Sequence, residues 1–319
     1  MGSKIVDAKI PVVNLFGEAL KPGSGAWAAA SGDVRRAMEG YGCMEVVYDK
    51  SSEELSSSVL EALEELFELP QETKMKNVNP KPAHGYMGRL SVLPIHEGLG
   101  IEYATDREAC EEFTKLMWPE GNPHFCEVVH SYAVMVAQLQ KLVVRMLLES
   151  YGIRTDKYDA HSDSTTYLMR LLKYRRSKGE TNLGFKGHTD KSFVSILHQN
   201  QVNGLEVRLN DGEWVYYQPS SSSSFAVIAG DVIMAWSNDR IKSCYHRVMV
   251  EGEEVRYAVG LFSFLTAIVE TPEELVDEDH PLLYKPFYNQ DLLDFYVKNN
   301  SQNKGDTNMV KAYCGTSML

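Results

Sequence analysis

His188 and Asp190 in the run GHTDKS, with His246 in SCYHRVMV, are the residues of this chain whose types and spacing carry chemistry. Two imidazoles and one carboxylate can hold a divalent metal on one face and leave three coordination positions open. The donor set suits Fe(II), and zinc and manganese accept it too. His188 and Asp190 are two residues apart, so on extended backbone both side chains project from one face. His246 follows 56 residues after Asp190 (246 − 190), enough for several strands to pass before the chain returns on an opposite wall. Arg256 comes ten positions after His246 (256 − 246) and supplies a planar, permanently charged fork suited to a carboxylate-bearing co-substrate.

The elements that must position these residues fall into two patterns. Between Gly25 and about Gly152 the spacing is mostly helical: Val59, Leu60, Leu63, Leu66 and Phe67 recur at three- and four-residue intervals and stop at Leu69-Pro70. Val128 to Leu148 is apolar on most faces and predicts a helix buried against a sheet. Residues 77–122 are rich in Pro and Gly and predict irregular chain over a pocket. From Thr165 the pattern becomes strand-like, with short runs at Phe193–Leu197, Leu205–Leu209, Trp214–Tyr217, Phe225–Ile228, Val232–Trp236, Tyr245–Val250 and Tyr257–Phe264. Asn210-Asp211-Gly212 predicts a hairpin turn, Ser220–Ser224 a surface loop and Ala229-Gly230-Asp231 a turn without chemistry. Helical spacing returns from Asp291 to Lys298. Many short strands indicate a sandwich or jelly roll, so the expected fold is mainly β with surrounding helices. The expected division is a mixed helical region over 1–150 and a core over 151–319, packed as one unit.

With 319 residues, 44% of them hydrophobic, the chain can bury a large core. A net charge of −12 argues against nucleic acid or an anionic membrane as partner and favours a small organic substrate. Five scattered cysteines without a C-x-x-C spacing suggest free thiols in a reducing compartment. No uninterrupted apolar run reaches the ~20 residues of a membrane span. The first residues lack signal-peptide character, Val6 stands where a myristoylation signal at Gly2 needs Ser or Thr, and Ser317-Met318-Leu319 lacks the basic middle residue of a peroxisomal address. A cytoplasmic monomer is expected.

Longer stretches carry a family likeness. Gly204 to Val207, Asp211 to Trp214, Ala229-Gly230-Asp231, Trp236-Ser237-Asn238, Ser243 to Val248 and Arg256 closely resemble the plant soluble 2-oxoglutarate- and Fe(II)-dependent dioxygenases. Ile10 to Leu15, Gly40 to Val47 and Leu66 to Lys74 extend the resemblance to the first half. The chain looks most like the branch of glucosinolate side-chain oxygenases, steroidal glycoalkaloid hydroxylases and auxin oxidases. The resemblance implies a double-stranded β-helix in which His188, Asp190 and His246 bind Fe(II), 2-oxoglutarate chelates the iron, and O2 takes the last position. It implies that Arg256 and Tyr174 bind the distal carboxylate of 2-oxoglutarate. It also implies hydroxylation, dealkylation or desaturation of a small plant metabolite, with release of succinate and CO2.

Two positions depart from the family pattern: Ala258 stands for a serine and Leu172 for an asparagine. Each loss removes a hydrogen bond to a charged group, nominally ~1.5–3 kcal/mol, unless Thr189 or Tyr257 replaces it. Phe262 and Phe264 are candidates for substrate contact, as are Tyr86 and Met117 at the mouth. The remaining histidines, including His84 and His96, are expected at the surface or in packing. Two rival readings stay open: an iron oxidase of the same fold that does not use 2-oxoglutarate, and a catalytically silent metabolite-binding homologue.

Overall fold

The computed structural model describes residues 9–175, 181–209, 211–300 and 309–316. Gly2, Val6, Asn210 of the expected hairpin turn and Ser317–Leu319 lie outside them. In chain order the strands of the two main sheets are β1 (Val12–Leu15), β2 (Cys43–Tyr48), β3 (Met87–Leu90), β4 (Leu93–Glu102), β5 (Thr165–Tyr174), β6 (Leu183–His188), β7 (Val194–Gln199), β8 (Leu205–Arg208), β9 (Trp214–Tyr216), β10 (Ser224–Ala229), β11 (His246–Met249) and β12 (Arg256–Leu265). The helices are α1 (Gly25–Tyr41), α2 (Glu53–Glu68), α3 (Gln71–Lys74), α4 (Arg107–Met117), α5 (Pro123–Ser150), α6 (Thr155–Asp163), α7 (Asp231–Trp236), α8 (Asn289–Asn300) and α9 (Met309–Cys314). One sheet runs β1-β2-β10-β7-β12-β5-β4-β3 and a smaller one β6-β11-β8-β9. Together they form the expected double-stranded β-helix, a jelly roll with helices outside it.

Helix α5 is the main support of the large sheet. Asn122 caps its start by accepting from the Phe125 N–H, and Pro123 occupies the first turn, where its missing donor costs nothing. By length and hydropathy α5 could cross a membrane, but 67% of its most apolar window is buried within the fold. A buried polar chain stitches it to the strands. Tyr167 Oη donates to Gln140 Oε1 at 2.9 Å, Gln140 Nε2 donates to Ser263 Oγ at 3.3 Å, and Ser263 Oγ accepts from the Val194 N–H at 3.1 Å.

Three expectations are corrected here. Residues 77–122 are not irregular throughout, because β3, β4 and α4 lie within them. Gly98 and Gly100 belong to β4, and a Cβ there would meet Arg170 or the His84 backbone within 3 Å, so these glycines mark close approach rather than loop. Val232–Trp236 is helix α7, not a strand; every residue from Asp231 to Trp236 is buried, so the run has no alternation to distinguish the two. Asp231 in its first turn suits the helix N-terminus, and its carboxylate also pairs with buried Lys191 at 3.0 Å. The hairpin β8–β9 forms as expected, with Gly212 at φ 89° and Asp211 Oδ1 accepting from the Glu213 N–H.

Candidate metal and co-substrate site

Strands β6 and β11 are neighbours, and His246 lies directly opposite His188 in their ladder. The second imidazole therefore comes from the adjacent strand of the same small sheet, not from an opposite wall. Asp190 follows two residues after His188, and one ligand atom from each of the three residues lies within 4.8 Å of the others. His188 Nδ1 bonds the Lys186 carbonyl at 2.8 Å and His246 Nδ1 bonds the Cys244 carbonyl at 3.1 Å. Both Nε2 atoms thus face Asp190, at 3.5 and 3.8 Å from Oδ1. Carbonyl partners of this kind fix ring orientation and tautomer for a metal.

Electrostatics favour the ligating protonation states. Burial alone would raise the Asp190 carboxyl, but His246, His188 and Ser195 hold it well below the usual carboxylate range. Ser195 Oγ donates to Asp190 Oδ2 at 2.6 Å. Burial, and then the neighbouring His188, lowers His246 to about 4, which leaves its imidazole neutral near pH 7.

The large sheet supplies the other wall of the cavity, which has a volume of about 230 Å³. Its side chains come in rows set by the ladder. Arg256 on β12 lies opposite Tyr174 on β5, which lies opposite His96 on β4. The next row is Gln199, Ala258, Leu172 and Gly98, and the next Leu197, Gly260, Arg170 and Gly100. Arg256 is buried and Gln199 Oε1 accepts from its Nη2 at 2.7 Å, while its Nε has no hydrogen-bond partner among the described residues. Tyr174 presents its ring 5.1 Å from the guanidinium carbon. A carboxylate is the group that would complete this set of donors. Gly204 permits the arrangement, since a Cβ there would lie 2.8 Å from Arg256 Cδ.

Of the residues expected at the site, His188, Asp190, His246, Arg256, Tyr174, Phe262 and Phe264 all line this one cavity. Met117 does not: it is on the buried face of α4 with Cys110, Phe113 and Thr114 and belongs to the helical core. Tyr86 is turned away as well, its hydroxyl donating to Glu97 at 2.9 Å. Tyr257 points to the other face of β12, 6.2 Å from Phe67, and cannot stand in for the missing serine. Thr189 lines the cavity, but its Oγ1 already accepts from Lys191 Nζ at 3.1 Å. His84 and His96, expected in packing, also line it. Ser195, Gln199 and Arg170 went unnoticed in the sequence. Their signal was alternation: Ser195, Leu197 and Gln199 are every second residue of β7, as are Arg170, Leu172 and Tyr174 of β5.

Residues 146–264 match the 2OG-Fe(II) oxygenase superfamily, and residues 10–121 match the non-haem dioxygenase in morphine synthesis N-terminal family. A probable 2-oxoglutarate-dependent dioxygenase of Arabidopsis thaliana, AOP1.2, is 43% identical over 300 residues, covering 91% of this chain and 92% of that protein. The crystal structure of the rice dioxygenase for auxin oxidation superposes with a TM-score of 0.81 at 27% identity, over 97% of this chain and 100% of that one. The Arabidopsis thaliana dioxygenase for auxin oxidation 1, in its 2-oxoglutarate complex, gives 0.77 at 27% identity, over 86% and 100%. The chain belongs to the 2-oxoglutarate- and Fe(II)-dependent oxygenase superfamily and is a 2-oxoglutarate-dependent dioxygenase.

Proposed function

We propose that His188, Asp190 and His246 hold the Fe(II), and that Arg256 and Tyr174 bind the distal carboxylate of 2-oxoglutarate. One observation carries this reading. A single cavity joins a His–Asp–His cluster to a buried guanidinium whose Nε has no hydrogen-bond partner among the described residues. When bound, Fe(II) with 2-oxoglutarate and O2 supplies an oxidant for an unactivated C–H bond, with succinate and CO2 as co-products. The chain's part is positional. Lys186 and Cys244 carbonyls orient the imidazoles, Ser195 orients Asp190, and Gln199 holds Arg256.

Phe262, Phe264, Leu168 and Leu293 make the wall that excludes water and aims the substrate. Hydroxylation of a small, largely apolar plant metabolite is the reaction this wall favours; dealkylation and desaturation begin with cleavage of the same C–H bond. The relatives named for auxin oxidation support a substrate of that size. We read the protein as a cytoplasmic monomer that acts on neither nucleic acid nor membranes, supported by its net charge of −12 and its five buried free thiols.

The test is anaerobic addition of Fe(II) and then 2-oxoglutarate, reading the visible charge-transfer band of the chelate. The band is expected in the native protein and lost in His246→Ala. Succinate release is expected to vanish in His188→Ala and Asp190→Ala with circular dichroism unchanged. Iron-dependent turnover retained in both variants overturns the ligand assignment. Substrate oxidation without succinate favours the oxidase that spares 2-oxoglutarate, and metabolite binding without oxidation favours the silent homologue.

A further inference from the structure

Among the described residues, Arg170 is a buried cation without a counter-charge. It is 5% exposed, on the cavity face of β5. Among the described residues it makes one hydrogen bond, from Nη1 to the Gly85 carbonyl at 2.6 Å, and no ion pair. Burial lowers it from its ordinary value to about 10, so it stays cationic near neutrality. A buried charge without a partner is costly, and such groups are normally paired or hydrogen-bonded. The loop it touches has its own anchor, because Asn77 brackets Gly100 by donating to its carbonyl and accepting from its N–H, each at 3.0 Å.

Beside it is a second orphan. His96 is 2% exposed, lines the same cavity, and neither ring nitrogen has a hydrogen-bond partner among the described residues. Arg170 Nη2, Leu172 Cδ2 and His96 Nε2 all pack over Gly98: a Cβ there would lie 2.8, 3.0 and 3.3 Å from them in turn. Among the described residues that line the cavity Asp190 is the sole carboxylate, and it belongs to the His–Asp–His cluster.

The co-substrate's charges are already matched by the site described above, on which this inference rests. One carboxylate of 2-oxoglutarate goes to the metal and the other to Arg256. Arg170 is four residues along β5 from Tyr174, roughly 13 Å between Cα atoms at strand rise, while His96 lies opposite Tyr174 with ring centroids 5.1 Å apart, so the subsite borders the co-substrate end. Arg170 itself lies one row from Leu168 and Phe262, on the side where Phe264 and His84 also line the wall.

We infer that Arg170 and His96 form an anion subsite for the oxidised substrate, which is therefore a small organic acid held by its carboxylate beside the metal cluster. The guanidinium offers Nη2 and Nε as a fork, and neutral His96 adds a single N–H. A glycine at 98 lets both groups come close to the strand, where a side chain would displace them.

The experiment uses the full-length protein loaded anaerobically with Fe(II) and 2-oxoglutarate. Phenylacetate, indole-3-acetate and benzenesulfonate are titrated against phenylacetamide and indole-3-acetamide, with perturbation of the chelate band as the readout. The carboxylates are expected to act at concentrations at least tenfold below their amides. Arg170→Gln and Gly98→Ala are expected to lose that preference, and in Arg170→Gln Fe(II) and 2-oxoglutarate are expected to titrate as in the native protein. Preference for the sulfonate over both carboxylates would overturn the carboxylate assignment. The absence of any acid-over-amide preference in the native protein, a lack of response to either included, overturns the subsite. A preference that survives intact in Arg170→Gln overturns it too. Should Arg170→Gln fail to fold, Gly98→Ala and the native selectivity decide. If the native protein forms no chelate band, the co-substrate reading has failed; calorimetric titration of the same acids and amides then decides the subsite separately.

Discussion

Ala258 on β12 and Leu172 on β5 lie directly opposite each other in the antiparallel ladder, and both face the cavity. The two departures from the family pattern are therefore one contiguous apolar tile beside Arg256, not two separate losses. The same row continues to Gln199, whose Oε1 holds Arg256 Nη2 from the other side. Arg256 is thus positioned by a neutral amide, and in the proposed pose 2-oxoglutarate lacks the donors that a serine and an asparagine would add.

Restoring one of them should tighten 2-oxoglutarate. Ala258→Ser places a hydroxyl two residues from Arg256 on the same face of β12. A hydrogen bond to a charged acceptor contributes about 1.5 kcal/mol, roughly a tenfold drop in the dissociation constant. Anaerobic titration of the chelate band measures it. Unchanged or weaker binding would show that the tile does not touch the co-substrate.

Gln199→Leu should do the reverse. Arg256 is buried and Gln199 Oε1 accepts from its Nη2, so losing that acceptor loosens one side of its fork. The apparent requirement for 2-oxoglutarate should rise about tenfold, while iron affinity and the limiting turnover number stay near native. A matching fall in turnover number with no change in that requirement would place Gln199 in some other role.

Ser195→Ala tests the metal end. The lost bond to Asp190 Oδ2, 2.6 Å in the native protein, removes the group that fixes the carboxylate. Losses of this kind cost on the order of 10–100-fold in metal affinity. Competition for Fe(II) against a chelator reads this directly, with 2-oxoglutarate binding at saturating iron unaffected. Native iron affinity in the variant would mean that Asp190 is held by its backbone alone.

The metal cluster and the jelly roll were legible because their signals are local: two ligands within three residues, and β-branched runs broken by turn residues. The rest depended on cross-strand register, which no window of sequence contains. That His246 faces His188, that Leu172 faces Ala258, and that Gly98 sits between Arg170 and His96 are facts of strand pairing. Met117 was misplaced because Pro and Gly nearby mimicked a loop, whereas its spacing from Cys110, Phe113 and Thr114 is that of a buried helix face. Gly98 and Gly100 misled for the same reason, being strand residues that yield space to a neighbouring side chain.

The link between α5 and the sheet makes a stability prediction that does not involve the site. Gln140 is 2% exposed and joins Tyr167 Oη to Ser263 Oγ, which in turn accepts from the Val194 N–H of β7. Gln140→Leu keeps most of the volume but strands the buried Tyr167 hydroxyl, and should cost about 1–3 kcal/mol in urea unfolding. Tyr167→Phe strands Gln140 Oε1 and should cost a similar amount by the same reasoning. Together the two substitutions leave neither group unpaired, so the double variant should lose clearly less than the sum of the singles, with a coupling of about 0.5–3 kcal/mol. Strict additivity would mean that the helix and the sheet are joined there by packing alone.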